Sequence, residues 1–202
     1  MTSSPDLTGG ARPAPARERL LAAASALFYA EGITATGVDR VAAAAGVTKA
    51  TLYNNFRSKE ELVAACLRGQ LDAWAAATAV ADRPAARAPQ RVSILFEVLA
   101  ADALSADYRG CPFTNAAVEM RQSELVMAVV HEYRRRIRAH VGELVGDPHS
   151  PAVDAILYLY DGAIAAVKTT GDPSHVLRAR DAALHALPTY VTSVTVPTPV
   201  SD

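Results

Sequence analysis

Apolar residues recur at helical spacing along most of the chain. Over residues 17–31 they fall at positions i, i+1, i+4, i+7 and i+8, which is the stripe of an amphipathic helix ending at Gly32. The residues of this stripe are Leu20, Leu21, Ala24, Leu27 and Phe28. Similar patterns predict a long helix over residues 62–81, another around residues 92–99 and a short one in residues 113–120.

Two long helices and a final shorter one follow. Apolar residues at three- and four-residue steps from Val126 to Leu144 predict a long amphipathic helix. Residues 152–168 are apolar nearly all round, and residues 171–187 supply the last helix. A helix without a polar face must be covered on more than one side, which favours a helical bundle with a partner subunit. Strand alternation is not evident, so the sequence predicts an all-α fold.

Two short helices around a glycine follow the first helix. Thr36 can cap the first of them, and Gly46 supplies a tight turn that a β-carbon would resist. Thr48 caps the second, which spans about residues 48–55. This pattern is typical of a helix-turn-helix, whose second helix can lie in the major groove of DNA.

The second short helix offers the kinds of side chain that contact DNA. Hydroxyl, ammonium, phenol and amide groups bind phosphates and base edges. The candidates on its exposed side are Thr48, Lys49, Thr51, Tyr53, Asn54 and Asn55. Apolar residues at the other positions would pack the helices together: Val41, Ala45, Val47, Leu52 and Phe56. In an alternative reading, Tyr53 packs its ring against the first helix.

Two consecutive stretches resemble a known family. TetR-family (tetracycline-repressor-like) transcriptional regulators carry a DNA-binding segment similar to TGVDRVAAAAGVTKATLYNNFRSKEELVAA, and their first helix resembles LLAAASALFYAEGITAT. The resemblance covers about residues 15–65, with the A-x-x-A-G-V turn, T-L-Y-x-x-F and S-K-E-E-L in order. Ser58 and Glu61 within it form a capping box. The resemblance implies an all-α homodimer with an N-terminal three-helix DNA-binding domain and a C-terminal helical bundle for ligand binding and dimerisation.

The resemblance also implies roles for individual residues. Phosphate contacts are expected from Thr36, Thr48, Thr51, Tyr53 and Lys59. Such contacts position a protein on DNA without reading its sequence, and Lys59 could equally belong to an ordinary solvated face. We assign base-edge readout to Lys49 and Asn54. The chain departs from the commonest family pattern at Ala50 and Asn55, which bears on the operator sequence rather than on the fold.

The corresponding organisation has four parts. They are a disordered N-terminal tail (1–14), the helix-turn-helix DNA-binding domain (15–60), a helical ligand-sensing and dimerisation domain (61–188) and a flexible C-terminal tail (189–202). We expect the dimer to form through residues 152–170 and 174–187. The apolar side chains available there are Leu157, Tyr160, Ile164, Val167, Leu177 and Leu184.

A ligand pocket between the bundle helices would be mostly apolar, with a few polar groups that orient the ligand. Its walls could be Trp74, Phe96, Tyr108, Phe113, Met120 and Tyr158, with polar contacts from Asn115, His131 and Asp161. An aromatic residue at helical spacing is more often part of the core, and Asn115 could simply bond to nearby backbone.

Charge and composition narrow the function classes. Residues 1–68 hold 8 Lys and Arg against 6 Asp and Glu, whereas the remainder holds 12 against 15, so the basic excess lies with the DNA-binding motif. Apolar runs end before roughly 18 residues, and no secretory signal is evident, which predicts a cytoplasmic protein without membrane contact. Cys66 and Cys111 form no C-x-x-C pair and are expected to be small core residues of a protein in a reducing compartment.

The motifs of catalysis and metal binding are missing from the sequence. No Glu-x-x-His motif, zinc-site spacing, phosphate loop or nucleophile elbow occurs, so we expect no enzyme activity, metal or cofactor. The expected partners are a double-stranded DNA operator, a partly apolar small-molecule effector and a second copy of the chain. The alternative is a helical DNA-associated or protein-interaction module without a small-molecule ligand.

Overall fold

A computed structural model describes residues 14–79 and 87–187 of the protein. The helices in these ranges are α1 (Ala16–Glu31), α2 (Val38–Ala44), α3 (Lys49–Asn55), α4 (Lys59–Thr78), α5 (Ala88–Ala103), α6 (Pro112–Glu119), α7 (Glu124–Val145), α8 (Pro151–Thr170) and α9 (Ser174–Ala186). No strand occurs in the described ranges, and the all-α prediction is confirmed. The predicted tails lie outside the described residues, except for residue 14.

The apolar patterns correctly identify the buried faces of the helices. Buried positions in α5 and α7 include Val92, Leu95, Phe96, Leu99, Val126, Val130, Tyr133, Ile137, Val141 and Leu144. Helix α4 begins at Lys59, directly after Ser58, as the predicted capping box requires. The Ser58 Oγ accepts the Glu61 backbone N–H at 3.2 Å, and the Glu61 carboxylate accepts the Arg57 backbone N–H at 2.7 Å. The capping box thus forms with its return bond one residue earlier than in the usual arrangement.

The described residues form two compact units. Unit 1 comprises residues 14–75 and 109–134, and unit 2 comprises residues 76–79, 87–108 and 135–187. The division falls inside α4 and α7, and the functional boundary expected after residue 60 stays a prediction. Helix α6 and the first half of α7 therefore belong to the same unit as α1, α2 and α3.

In unit 1, α1 packs against both short helices. The side chains of Leu20, Val41 and Leu52 are fully buried, and Phe56 is 1% exposed. The Arg19 guanidinium donates to the carbonyl oxygens of residues 45 and 46 at 3.0 and 3.3 Å, which satisfies the end of α2. Gly46 has a φ of 62°, a conformation that favours glycine, so the predicted glycine turn is confirmed.

Hydrogen bonds of two side chains join the α6 region to α1 and to the loop that follows α1. The Tyr29 hydroxyl accepts the Arg109 backbone N–H at 2.8 Å and donates to the Gly110 carbonyl at 3.2 Å. At the other end of α6, the Glu119 carboxylate accepts the Thr34 backbone N–H at 2.8 Å. These contacts join segments about 80 residues apart in sequence, which explains why α6 belongs to unit 1.

In unit 2, α5, α8 and α9 pack together. Phe96 meets Tyr160 edge-on, with ring centroids 5.8 Å apart. The expectation that all six apolar residues of α8 and α9 are available to a partner is wrong. Leu157, Tyr160, Ile164 and Val167 are buried within their own chain, because α8 turns this face towards α5 and α9.

The cysteines differ in their surroundings. Cys66 is buried, and burial raises the pKa of its thiol, so the thiol stays protonated as expected of a core residue. Cys111 is half-buried and free.

Among the described residues, no helix is both long and apolar enough to cross a membrane.

Tyr29→Phe tests the fastening of the α6 region. Loss of one hydroxyl removes two hydrogen bonds, and we expect the free energy of unfolding to fall by about 1–2 kcal/mol. Urea denaturation of the full chain measures the change. Tyr53→Phe is the matched control, because Tyr53 lies in the same unit, is 44% exposed and should tolerate the loss of its hydroxyl in the absence of DNA. Equal stability of both variants and the unmodified protein would contradict this account.

Candidate nucleic-acid interface

Helix α3 is held at its start by its predicted cap. Thr48 precedes the helix in an extended conformation, and its Oγ1 accepts the Thr51 backbone N–H at 3.1 Å. The two threonine hydroxyls lie 2.9 Å apart. The capping prediction for Thr48 is confirmed, and its hydroxyl lies at the start of a helix of 7 residues.

The side chains of α3 divide into a buried side and an exposed side. Leu52 and the following Phe56 are buried, as predicted for the scaffold. Thr48, Lys49, Tyr53 and Asn54 are exposed, and we call these four residues the recognition surface. Tyr53 is 44% exposed, so its ring is not buried against α1.

The remaining predicted DNA contacts of this region are half-buried. The Thr51 hydroxyl forms a hydrogen bond with the Thr48 hydroxyl. The Asn55 side-chain amide donates to the Thr51 backbone carbonyl at 2.8 Å. Asn55 is therefore committed to the end of its own helix and is not one of the exposed candidates. Lys59 is half-buried at the first position of α4, where the helix dipole also favours anions.

Thr36 does not have the predicted position. Gly37, rather than Thr36, precedes α2 as its N-cap, and no side chain caps this helix. The Thr36 side chain is fully buried, and its hydroxyl donates to the Gly32 carbonyl at 2.8 Å. Because this hydroxyl is used internally, Thr36 stabilises the α1–α2 loop and does not present a phosphate contact.

Two ion pairs lie on the surface formed by α1, α2 and α3. The Lys49 ammonium lies 2.9 and 3.1 Å from the two carboxylate oxygens of Asp39, and this contact raises the pKa of Lys49. Arg40 pairs with Glu31 at the end of α1. All four side chains are partly or largely exposed. The cations here are therefore partly neutralised by neighbouring carboxylates, which weakens the general attraction to phosphate.

Asp39 is the residue of this surface that sequence reasoning missed. The DNA contacts expected from the sequence are ammonium, hydroxyl and amide groups, whereas Asp39 carries a carboxylate. Its proximity to Lys49 depends on how α2 and α3 cross, which no pattern within either helix indicates.

Comparison with known proteins assigns the chain to a family. The sequence model described as "Bacterial regulatory proteins, tetR family" matches residues 20–66. A solved TetR-family transcriptional regulator from Streptomyces coelicolor is 32% identical to this chain and superposes with a TM-score of 0.78. The match covers 85% of this chain and 95% of the Streptomyces protein. The chain belongs to the TetR family of transcriptional regulators.

Curated TetR-family relatives match over shorter stretches. The HTH-type transcriptional repressor KstR2 of Mycolicibacterium smegmatis is 41% identical over 61 residues, 30% of either chain. The HTH-type transcriptional activator FasR of the same organism is 46% identical over 56 residues, 28% of this chain and 26% of FasR. The aligned stretches thus span less than a third of these relatives, which include a repressor and an activator.

The predicted ligand-pocket residues of this TetR-family chain fall into both units. In unit 1, Tyr133 stacks on Phe113 at 4.0 Å between ring centroids and meets Trp74 edge-on at 5.8 Å. Asn115 lines a narrow cavity with residues of α1 and α4, and its amide donates to the Arg109 carbonyl at 3.1 Å. Met120 is half-buried in the same unit.

Two of the predicted pocket residues have exposed side chains, so their assignment to a pocket is wrong. His131 is exposed on α7, and Tyr158 is 70% exposed on α8, so neither side chain is enclosed. Residue type does not show which side of a helix faces outward, because that rotation is set by which neighbouring residues are buried. In unit 2, Phe96 is fully buried, whereas Tyr108 and Asp161 are half-buried.

Proposed function

We propose that the protein represses transcription by binding a palindromic DNA operator as a homodimer and is released by a small-molecule effector. The observation that carries the proposal is that α3 has one buried side and one exposed side. Leu52 is buried, and the recognition surface on the exposed side carries hydroxyl, ammonium, phenol and amide groups. Membership of the TetR family supports DNA binding. The match to the repressor KstR2 supports repression.

The recognition surface suits two kinds of contact. Thr48 and Tyr53 are exposed hydroxyl donors for phosphate, and Lys59 adds an ammonium at the start of a long helix. Lys49 and Asn54 are exposed on α3 and carry donors that match guanine and adenine edges. Phosphate contacts would set the register on DNA, and the two base contacts would select the sequence.

A groove along α8 and α9 favours self-association. Its lining is mostly small or apolar and includes Gly162, Ala166, Ala179 and Ala182, with Tyr158 at one side. Small side chains allow helices to approach closely, so a second copy could pack its own α8 and α9 here. We therefore place the proposed dimer interface at this groove and not at the buried residues Leu157, Tyr160, Ile164 and Val167.

Dimerisation would connect the effector to the operator. Two recognition helices about 34–36 Å apart address half-sites one DNA turn apart. An effector that binds more tightly to a dimer with a different spacing would shift the population away from DNA, by no more than its difference in affinity for the two states. Helix α4, which begins at Lys59 and carries Trp74, is the proposed lever. Such a regulator acts in the cytoplasm.

Selection from a random duplex pool tests the proposal directly. Purified full-length protein is incubated with the pool at one stated salt concentration near physiological, and the bound DNA is sequenced. A palindromic consensus with half-site centres about 10–10.5 base pairs apart is expected. A folded dimer that enriches no sequence would contradict operator binding by the protein alone and favour the interaction-module alternative.

Lys59→Ala and Asn54→Ala separate the two kinds of contact. Lys59→Ala should weaken binding to all sequences and reduce the slope of log affinity against log salt by about 1, because one phosphate contact is lost. Asn54→Ala should change the preferred sequence. Fluorescence anisotropy across a salt series measures both effects, with Lys168→Ala of α8 as the lysine control. An unchanged slope in Lys59→Ala would remove Lys59 from the phosphate contacts.

Ala182→Glu tests the dimer interface. A glutamate in the α8–α9 groove should convert the dimer to monomer in sedimentation velocity, because a second copy packed closely against the small side chains leaves no room for a larger one. Ala165→Glu is the matched control, since Ala165 is exposed on α8 but does not line the groove. An undiminished dimer in Ala182→Glu would exclude the groove.

A further inference from the structure

We propose that Asp39 and Lys49 act together as a reader of one G·C base pair in the operator half-site. The inference rests on the proposed function and names a base specificity for the recognition surface. It adds a residue of α2 to the sequence-reading groups, and this residue is an acid.

The first observation is the position of the pair. Lys49 is the first residue of α3, and the N-terminal residues of a recognition helix are those that reach base edges. The two carboxylate oxygens of Asp39 lie 2.9 and 3.1 Å from the Lys49 ammonium, so the carboxylate lies next to a group at the start of α3. The Asp39 side chain is 72% exposed and that of Lys49 is 55% exposed. Both groups are thus open to an approaching ligand.

The second observation is that the pair keeps spare hydrogen-bonding capacity. An ammonium has three N–H donors, and a carboxylate has about four acceptor sites. Their mutual contact at 2.9 and 3.1 Å uses part of each set. Lys49 can therefore donate to DNA while Asp39 still holds it, and Asp39 can accept from DNA at the same time.

The major-groove edge of a G·C pair complements this arrangement. Guanine presents the acceptors O6 and N7, and cytosine presents the N4 amino donor. The O6 and N4 atoms are hydrogen-bonded to each other and so lie about 3 Å apart. This separation matches that of the ammonium and the carboxylate. Lys49 would donate to guanine while Asp39 accepts from cytosine.

Other base pairs fit less well. In the same orientation, an A·T pair would turn the adenine N6 amino group towards the ammonium and thymine O4 towards the carboxylate. Donor would face donor and acceptor would face acceptor. A reversed T·A pair matches the two exocyclic groups, but it offers the ammonium one acceptor instead of two and adds the thymine methyl group. The pair therefore selects G·C by attraction and rejects A·T by repulsion.

An exposed carboxylate near phosphates would otherwise only reduce affinity. If Asp39 acted merely through its charge, its loss would strengthen binding to every sequence equally. The Glu31–Arg40 pair provides the internal comparison, because it is also an exposed ion pair of this region but does not involve a residue of α3. The two carboxylates should therefore differ in their effect on sequence preference.

Asp39→Ala and Glu31→Ala are compared by the same random-pool selection and by anisotropy with a fixed set of operator duplexes. For the unmodified protein we expect one G·C position in each half-site whose replacement by A·T or T·A weakens binding about tenfold or more. Asp39→Ala should reduce this discrimination to about threefold or less. Glu31→Ala should retain it. Lys49→Ala should affect the same base pair, and the double variant should lose little more than either single variant.

Three outcomes have distinct meanings. A consensus that is unchanged in Asp39→Ala, with higher affinity for all duplexes, would overturn the base-reading role. Loss of preference at different base pairs in Asp39→Ala and Lys49→Ala would overturn the joint reading. Failure of the unmodified protein to enrich any sequence would instead count against the proposed function. Thermal unfolding of each variant verifies that the exposed substitutions leave the fold intact.

Discussion

Burial of Leu52 and Phe56 is the constraint on which the recognition surface depends. Helix α3 has 7 residues, and an isolated helix shorter than about 12–15 residues is marginal in water. Its conformation is therefore maintained by tertiary packing, with a threonine cap at one end and an aromatic anchor at the other. The same packing fixes the rotation of the helix and determines which polar groups face outward. The burial of these apolar side chains thus determines which polar side chains of α3 are exposed.

The electrostatics of this surface favour selectivity over general affinity. Each of two exposed cations, Arg40 and Lys49, has a carboxylate partner within ion-pair distance. Exposed pairs of this kind contribute little to stability because water screens them. Their effect on a DNA-binding surface is different, because phosphate attraction supplies most of the non-specific affinity. A surface with neutralised cations depends more strongly on matching hydrogen bonds at the base edges.

The α6 region belongs to the same compact unit as the short helices, and hydrogen bonds explain why. Tyr29 holds the segment before α6, and Glu119 holds the loop after α1. Gly32 in that loop has a φ of 96°, and a β-carbon there would lie 3.2 Å from the Glu119 carboxylate. A residue with a side chain would be strained and crowded. Tyr29, Gly32 and Glu119 thus hold the α6 region against α1 and the loop after it.

Helical periodicity, caps and a glycine turn are local properties, so the helices, their buried faces and the helix-turn-helix could be predicted from the sequence. The sequence also identified most of the recognition surface through residues on one helix. Three features could not be predicted in this way: Thr36 is buried, Tyr158 and His131 are exposed, and Asp39 meets Lys49 from another helix. Each of these depends on how helices rotate and cross. That geometry is set by contacts between distant parts of the chain, which periodicity within one segment does not encode.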